Sequence, residues 1–221
     1  MSILARGRRW PLVLLLSAGA ASWLAGSAQA AAPGDALASY AERYAASCAA
    51  CHGANGVSTQ ALVPSLAGQP SFYAVTQLFL FRGGRRDNPA MTAVAQGMSD
   101  ADLRGFSEHI GKLAPANPAP AAGAATPPDK PALARGAALA RQLHCTGCHG
   151  SDLAGGKQVP RLAGQREDYL LHALQGFRSA QRIGYTPAMS EALAGVSADA
   201  LADLALFLSR FNSADAAAGS R

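Results

Sequence analysis

Two short stretches of the sequence combine two thiols and an imidazole at the same spacing: Cys48-Ala49-Ala50-Cys51-His52 and Cys145-Thr146-Gly147-Cys148-His149. Each reads C-x-x-C-H, the attachment signature of a c-type haem. Two thiols three residues apart on a turn of helix can each form a thioether to a haem vinyl group, and the adjacent histidine can bind the iron. A C-x-x-C pair alone would also fit a thioredoxin-like redox pair, half a zinc site or a short disulfide, but those interpretations leave a histidine unexplained twice. The sequence therefore predicts two covalently bound haem c groups.

The methionines are the first candidates for the second axial ligand of each iron. Cysteine is excluded because the two motifs use all four cysteines. Methionine or a second histidine usually completes the coordination of a haem iron. Met91 and Met189 both stand in a Pro-Ala-Met sequence, 39 and 40 residues after His52 and His149. Matched placement in a chain with few methionines predicts that these two bind iron, although a methionine can also simply fill a core. The remaining histidines, His109, His144 and His172, have no counterpart in the other half and are predicted to be surface or packing residues.

The second half of the chain repeats the first. Val159-Pro160-Arg161-Leu162-Ala163-Gly164-Gln165 matches the segment from Val63 to Gln69 at an offset of 96 residues. Phe177-Arg178 matches Phe81-Arg82 at the same offset, and Ser197 matches Ser99 at an offset of 98 residues. Such a repeat indicates duplication of one haem-binding unit.

Helical periodicity is the main secondary-structure signal, and no convincing strand is found. The pattern predicts a helix from Asp35, its N-cap, to about residue 50, and a second helix with Pro70 in its first turn that ends at Gly83-Gly84. A closing helix is predicted after Ser99, with Asp102 completing a variant of the capping box. Met98 aligns with Val196 when the two halves are compared, which favours a packing role for it just before this helix. The fold class is predicted to be all-α, with two tandem units.

The N-terminus has the charged, apolar and small-residue order of a secretory signal peptide. Cleavage is expected after Ala30, and the alternative is an uncleaved membrane anchor. Removing three arginines lowers the formal charge from +5 to +2, so nucleic acid is not an expected partner. The predicted divisions are a signal peptide (1–30), an N-terminal haem domain (31–114), a proline- and alanine-rich linker (115–131), a C-terminal haem domain (132–214) and a tail (215–221).

Several residues have two possible roles on sequence grounds alone. The Pro64 and Pro160 carbonyls could accept the Nδ1 proton of the ligand histidines, or the prolines could simply stiffen their loops. Arg82 and Arg178 could pair with haem propionates. Tyr73 and Tyr169 could do the same, although packing would also explain them. The pair Arg85-Arg86 is interpreted as solvated and not as a docking patch.

Taken together, the repeated C-x-x-C-H, V-P-x-L-A-G-Q, F-R and P-A-M motifs resemble the di-haem class I cytochromes c of the cytochrome c4 family. The resemblance covers nearly the whole chain after residue 30. It implies two small all-α cytochrome c domains with neighbouring haems, whose propionates face each other. It further implies the ligand pairs His52 with Met91 and His149 with Met189, and a role for Pro64 and Pro160 in orienting the histidines.

The function implied by this resemblance is electron transfer in the periplasm, with no membrane span after signal removal. The expected partners are redox proteins, such as a membrane quinol-oxidising complex, a terminal oxidase or a dehydrogenase. Two occupied iron faces leave no site for a substrate, so the chain is not expected to be an enzyme. The alternatives are a haem subunit of a periplasmic dehydrogenase and, from another class, a di-haem peroxidase or a thiosulfate-oxidising cytochrome.

Overall fold

A computed structural model describes residues 33–115, 129–182 and 187–212. Ten helices occupy these segments, and no strand occurs in them. The N-terminal half contains α1 (Pro33–Ser47), α2 (Ala49–His52), α3 (Ser71–Arg82), α4 (Pro89–Gln96) and α5 (Asp100–Lys112). The C-terminal half repeats this order with α6 (Lys130–Gln142), α7 (Cys145–His149), α8 (Glu167–Arg178), α9 (Ala188–Ala192) and α10 (Ala198–Arg210). The predicted all-α fold with an internal repeat is confirmed.

Each half has its own apolar core, built where the closing helix meets the helices before it. In the N-terminal half, α5 packs against α1 and α3, and its apolar face buries Leu103, Phe106 and Ile110. In the C-terminal half, α10 packs against α6 and α8 and buries Leu201, Leu204 and Leu208. These residues recur three or four apart, the spacing that places side chains on one face of a helix.

The start of each closing helix is fixed by a serine cap. Ser99 accepts a hydrogen bond from the Asp102 N–H, and the Asp102 carboxylate accepts one from the Ser99 N–H, which completes the predicted capping box. Ser197 caps α10 through the Ala200 N–H alone. Capping satisfies amide groups that have no partner inside the helix, so both closing helices begin where the sequence predicts.

The crossing of the first and closing helices differs between the halves. A Cβ at Gly136 in α6 would overlap the main-chain carbonyl oxygen of Asp203 in α10, so only glycine allows these two backbones to approach so closely. In the N-terminal half the glycine lies on the other helix, because Gly105 in α5 faces the aromatic ring of Tyr40 in α1. The two halves therefore reach the same arrangement of helices with the small residue on opposite partners.

Two local predictions need correction. Helix α1 begins at Pro33, so Asp35 lies inside the helix and is not its N-cap. Pro70 is the N-cap residue of α3 and does not lie in its first turn. The helix α4, which carries Met91, was not predicted; Asn88 caps it by accepting a hydrogen bond from the Met91 N–H.

Several predicted segments fall on residues outside the described ranges. The signal peptide, nearly all of the linker and the C-terminal tail belong to this group. Helix α6 begins at Lys130, so Pro131 lies in its first turn. Among the described residues, no helix is long and apolar enough to cross a membrane.

Candidate haem sites

The two C-x-x-C-H motifs form short helical turns, α2 and α7, with the same pattern of exposure. The first cysteine of each motif, Cys48 or Cys145, is half-buried and packs against the apolar core of its own half. The second cysteine, Cys51 or Cys148, is exposed. Each motif therefore presents one sulfur toward the core and one toward the surface.

The histidine of each motif is buried and held in one orientation. His52 is only 6% exposed, and its Nδ1 lies 2.8 Å from the carbonyl oxygen of Pro64. His149 is equally buried, and its Nδ1 lies 2.9 Å from the carbonyl oxygen of Pro160. A carbonyl oxygen can only accept a hydrogen bond, so Nδ1 must carry the proton and the lone pair of Nε2 is left for iron. This geometry supports the orienting role over loop stiffness alone.

Burial favours the uncharged form of the histidine and of the first cysteine in each motif. Desolvation lowers the pKa of both His52 and His149, although the hydrogen bonds to the proline carbonyls partly oppose the effect. A neutral imidazole is the form that binds a metal. Burial also raises the pKa of the Cys48 thiol to about 11 and that of Cys145 in the same direction. An uncharged sulfur at this place suits a thioether, so these residues fit a covalently held haem.

A glycine in the left-handed region follows each ligand histidine. Gly53 has φ +83° and Gly150 has φ +84°. Residues with a Cβ rarely adopt such values, whereas glycine does so readily. The chain can therefore turn away immediately after the histidine, toward the loop whose proline carbonyl returns to its Nδ1.

The two predicted methionine ligands lie in equivalent places. Met91 on α4 packs against the core cluster that also contains Cys48, and Met189 on α9 packs against the cluster that contains Cys145. Each is half-buried. The structure thus brings each methionine to the same core as the haem motif of its own half. Among the described residues no group of three or more histidine, cysteine or acidic side chains could hold a bare metal ion.

Arg82 and Arg178 both bind the start of the closing helix of their own half. Arg82 donates hydrogen bonds to the Met98 carbonyl at 3.0 Å and to the Asp100 carboxylate at 2.8 Å. Arg178 donates to the Val196 carbonyl at 3.1 Å. Both guanidinium groups therefore tie the second long helix of their half to the start of its closing helix, and their pairing with propionates stays a prediction. Met98 and Val196 occupy equivalent positions against the two cores, as predicted.

The two V-P-x-L-A-G-Q loops bind each other through a pair of glutamines. The Gln165 side chain accepts a hydrogen bond from the Ser65 N–H and donates one to the Ser65 carbonyl oxygen, both at 2.8 Å. The Gln69 side chain does the same with the backbone of Arg161, at 3.0 and 2.9 Å. Ser65 and Arg161 are equivalent in the repeat, so the contact is close to two-fold symmetric. We refer to these four hydrogen bonds as the glutamine clamp.

A second polar contact joins the halves beside the clamp. Arg86 donates one hydrogen bond to the Tyr169 hydroxyl at 2.8 Å and another to the Gln77 side-chain oxygen, also at 2.8 Å. Arg182 reaches the same hydroxyl at 3.4 Å. Burial by itself raises the pKa of Tyr169, but the charges of the two arginines outweigh it and lower the pKa below its usual value. The interpretation of Arg85-Arg86 as a solvated pair is therefore wrong for Arg86 and correct for the exposed Arg85.

The other histidines lie where the sequence suggested. His144 and His172 are exposed, and His109 is half-buried with its ring against Tyr44, at a centroid distance of 5.1 Å. The roles of three residues, the two clamp glutamines and Arg86, were not predicted from the sequence. The conspicuous signal was the recurrence of a glutamine at the end of both repeated loops, since a duplicated polar residue is a candidate for a symmetric contact.

Family models match both halves of the chain. The model described as "Cytochrome c" matches residues 133–215, and the model described as "Cytochrome C oxidase, cbb3-type, subunit III" matches residues 35–110. Each match contains one C-x-x-C-H motif and ends in or just beyond the closing helix of its half. Both halves are therefore cytochrome c domains, and the chain binds two haem c groups through the two motifs.

Curated relatives match the chain across both halves. The chain is 36% identical to cytochrome c4 of Pseudomonas aeruginosa, over 76% of this chain and 81% of that protein. It is 34% identical to the "thiosulfate dehydrogenase electron acceptor" of Thiomonas intermedia, over 75% of this chain and 74% of that protein. The crystal structure of reduced cytochrome c4 from Pseudomonas stutzeri matches with a TM-score of 0.69 and 26% identity, covering 80% of this chain and 98% of that one.

Sequence, fold and sites therefore agree. The two halves each place a buried, oriented histidine beside a pair of cysteines, and the relatives that match over most of their own length are a cytochrome c4 and an electron acceptor. Such a protein passes electrons through its haems. The chain belongs to the cytochrome c4 family of di-haem class I cytochromes c and is an electron carrier.

Proposed function

We propose that this cytochrome is a periplasmic carrier whose two irons are both six-coordinate. His52 and Met91 bind the iron of the N-terminal half, and His149 and Met189 bind that of the C-terminal half. The observation that carries the proposal is the equivalent placement of the two methionines, each packed on the same core as the haem motif of its half. The domains extend over residues 31–114 and 132–214, after removal of residues 1–30.

Two filled axial positions suit a carrier better than a catalyst. A haem enzyme that binds a substrate at iron needs an open or exchangeable position, whereas a carrier only changes the charge of its iron. The protein chain then has three tasks: to hold the histidine, to keep the thioether sulfur on the iron, and to exclude water. The buried His52 and His149 and the half-buried methionines are consistent with all three. On this basis the chain is not an enzyme by itself.

Substitution of the methionines tests the ligand assignment. Met91→Ala should abolish the sulfur-to-iron charge-transfer absorption band of the first haem and lower its reduction potential, because a thioether ligand raises the potential. Met189→Ala should do the same for the second haem. Met98→Leu is the matched control: Met98 packs where the other half has Val196, and valine cannot bind iron. Loss of the band in Met98→Leu alone would reject the assignment.

The expected partners are a respiratory donor, such as a quinol-oxidising complex, and a terminal oxidase. The alternative is a haem subunit of a periplasmic dehydrogenase. The name of the Thiomonas relative, a thiosulfate dehydrogenase electron acceptor, supports a dehydrogenase as electron donor in either case. Affinity purification of the tagged protein from its own periplasm and membranes distinguishes the two. Isolation as a single small cytochrome that reduces an oxidase in host membranes supports the carrier. Stoichiometric recovery with a dehydrogenase chain supports the subunit.

A further inference from the structure

One peptide group in each half connects the glutamine clamp to the ligand histidine of that half. The peptide group between Pro64 and Ser65 accepts a hydrogen bond from His52 Nδ1 at its carbonyl and donates one to Gln165 Oε1 from its N–H, both at 2.8 Å. The equivalent group between Pro160 and Arg161 accepts from His149 Nδ1 at 2.9 Å and donates to Gln69 Oε1 at 3.0 Å. Each ligand histidine is therefore two hydrogen bonds away from a glutamine of the opposite half.

The histidine and the glutamine at the two ends of each chain of hydrogen bonds are buried. His52, His149, Gln69 and Gln165 are each 6% exposed, and Ser65 is 7% exposed. The amide nitrogen of each glutamine is fixed as well. Its Nε2 donates to the carbonyl oxygen of the same residue whose N–H is accepted by its Oε1. The Gln165 oxygen accepts one further bond, from the Arg166 N–H at 3.0 Å. Burial and double attachment hold the acceptor in place, so its effect on the peptide group is constant.

Hydrogen bonds in series strengthen one another. Donation by the peptide N–H shifts electron density toward the carbonyl oxygen of the same amide, which makes that oxygen a better acceptor for the histidine Nδ1 proton. A stronger bond at Nδ1 makes the imidazole a more basic ligand. A more basic ligand stabilises ferric iron more than ferrous iron because the ferric ion has the higher charge. The reduction potential of that haem is then lowered.

We propose that the clamp tunes the haems crosswise: Gln165 in the C-terminal half lowers the potential of the haem bound at His52, and Gln69 in the N-terminal half lowers that of the haem bound at His149. Gln69 and Gln165 are thus positioning residues that act through a peptide group of the other half. The inference rests on His52 and His149 being iron ligands, as in the proposed function. It means that neither half, by itself, would keep the potential it has in the intact protein.

The test compares Gln165→Leu and Gln69→Leu in the full haem-loaded protein. Potentials of the two haems are measured by spectroelectrochemical titration, with the haems distinguished by their assigned NMR resonances, and the Nδ1 proton of each ligand histidine is followed by NMR in the reduced state. Gln165→Leu should change the oxidised-to-reduced ratio of the first haem about threefold at a fixed applied potential, which corresponds to a rise of about 28 mV. Its His52 Nδ1 proton should move upfield. Gln69→Leu should give the mirror result at His149.

The controls separate tuning from a general loosening of the structure. Gln175→Leu makes the same substitution at an exposed position of α8 and should leave both potentials unchanged. If a leucine variant does not fold with both haems, Gln165→Asn and Gln69→Asn shorten the side chain and should shift the potentials in the same direction. A shift confined to the haem of the mutated half, equal shifts of both haems, or no shift with both haems intact would each overturn the inference. Persistence of the charge-transfer band in Met91→Ala would instead reject the ligand proposal and leave the crossed tuning standing.

Discussion

The hydroxyl of Tyr169 allows the strength of the contact between the two halves to be measured by removing one atom. Tyr169→Phe deletes the oxygen that accepts hydrogen bonds from Arg86 at 2.8 Å and Arg182 at 3.4 Å. The shorter bond has a charged donor and good length, whereas the longer one is near the limit at which a hydrogen bond counts. A hydrogen bond to a charged group contributes about 1.5–3 kcal/mol. Arg86 keeps its bond to Gln77 and its place over the Phe81 ring, so the loss should not exceed this range.

The assay is equilibrium unfolding in guanidinium chloride, followed by haem absorbance and by circular dichroism. Tyr40→Phe is the matched control because it removes the same atom within one half. The Tyr40 hydroxyl lies 3.3 Å from Asp102, and that carboxylate keeps Arg43 and Ser99 as partners. Tyr40→Phe should therefore cost less than about 1 kcal/mol. Equal losses in the two variants would refute the assigned strength of the contact between Arg86 and Tyr169.

The same variant predicts a dependence on alkaline pH. The two arginines lower the pKa of Tyr169 in the folded protein to about 8, against the burial that raises it, and an unfolded tyrosine titrates near 10. A group whose pKa is lowered by folding adds stability above its unfolded pKa, and loses it as the pH falls through its folded pKa. The difference in unfolding free energy between wild type and Tyr169→Phe should therefore grow between about pH 8 and 10. A difference that stays constant or shrinks over this range would contradict the assigned pKa.

Two further predictions concern the closing helices. Asp102→Asn should cost about 0.3–1 kcal/mol of unfolding free energy at neutral pH, the usual contribution of a charge at a helix end. Arg43 and then Ser99 lower the pKa of Asp102. The unfolding free energies of variant and wild type, measured with urea, should therefore converge as the pH falls below about 4. Gly136→Ala should destabilise the C-terminal half by about 1–3 kcal/mol, because the new methyl overlaps a main-chain carbonyl. In the same urea measurement Gly176→Ala, which meets its nearest atom at 3.5 Å, should be neutral or stabilising, and a greater loss there would contradict the packing argument.

The chemistry of the haem sites could be predicted from the sequence because it depends on local spacing. C-x-x-C-H places two thioether-forming sulfurs and one iron-binding nitrogen close together, and the repeat then checks every other assignment against a second copy. The serine caps of the closing helices are similarly local, since a cap joins residues only three apart. The carbonyl acceptors at Pro64 and Pro160 lie 12 and 11 residues from their histidines, and the repeat made them credible before their geometry was known.

The contacts between the halves could not be predicted in the same way. Gln69 bonds to Arg161 at a separation of 92 residues, and Arg86 bonds to Tyr169 at a separation of 83. Nothing in the local sequence states which surface of a duplicated domain faces the other copy. Helix α4 differs, because its signal is local: Asn88 is its cap and Pro89 its first residue, a combination typical of a helix start.

The opposite placement of the glycines at the two helix crossings affects how a duplicated chain avoids pairing its helices wrongly. While the protein folds, α1 could meet α10 and α6 could meet α5, since the two halves repeat the same order of helices. The first exchange would bring Tyr40 against the backbone near Asp203, where a glycine is needed on the partner helix. The second would set Gly136 opposite Gly105 and leave a gap that no side chain fills. One wrong pair is too bulky and the other is too empty, so the correct partner for each closing helix is the one made from its own half of the chain.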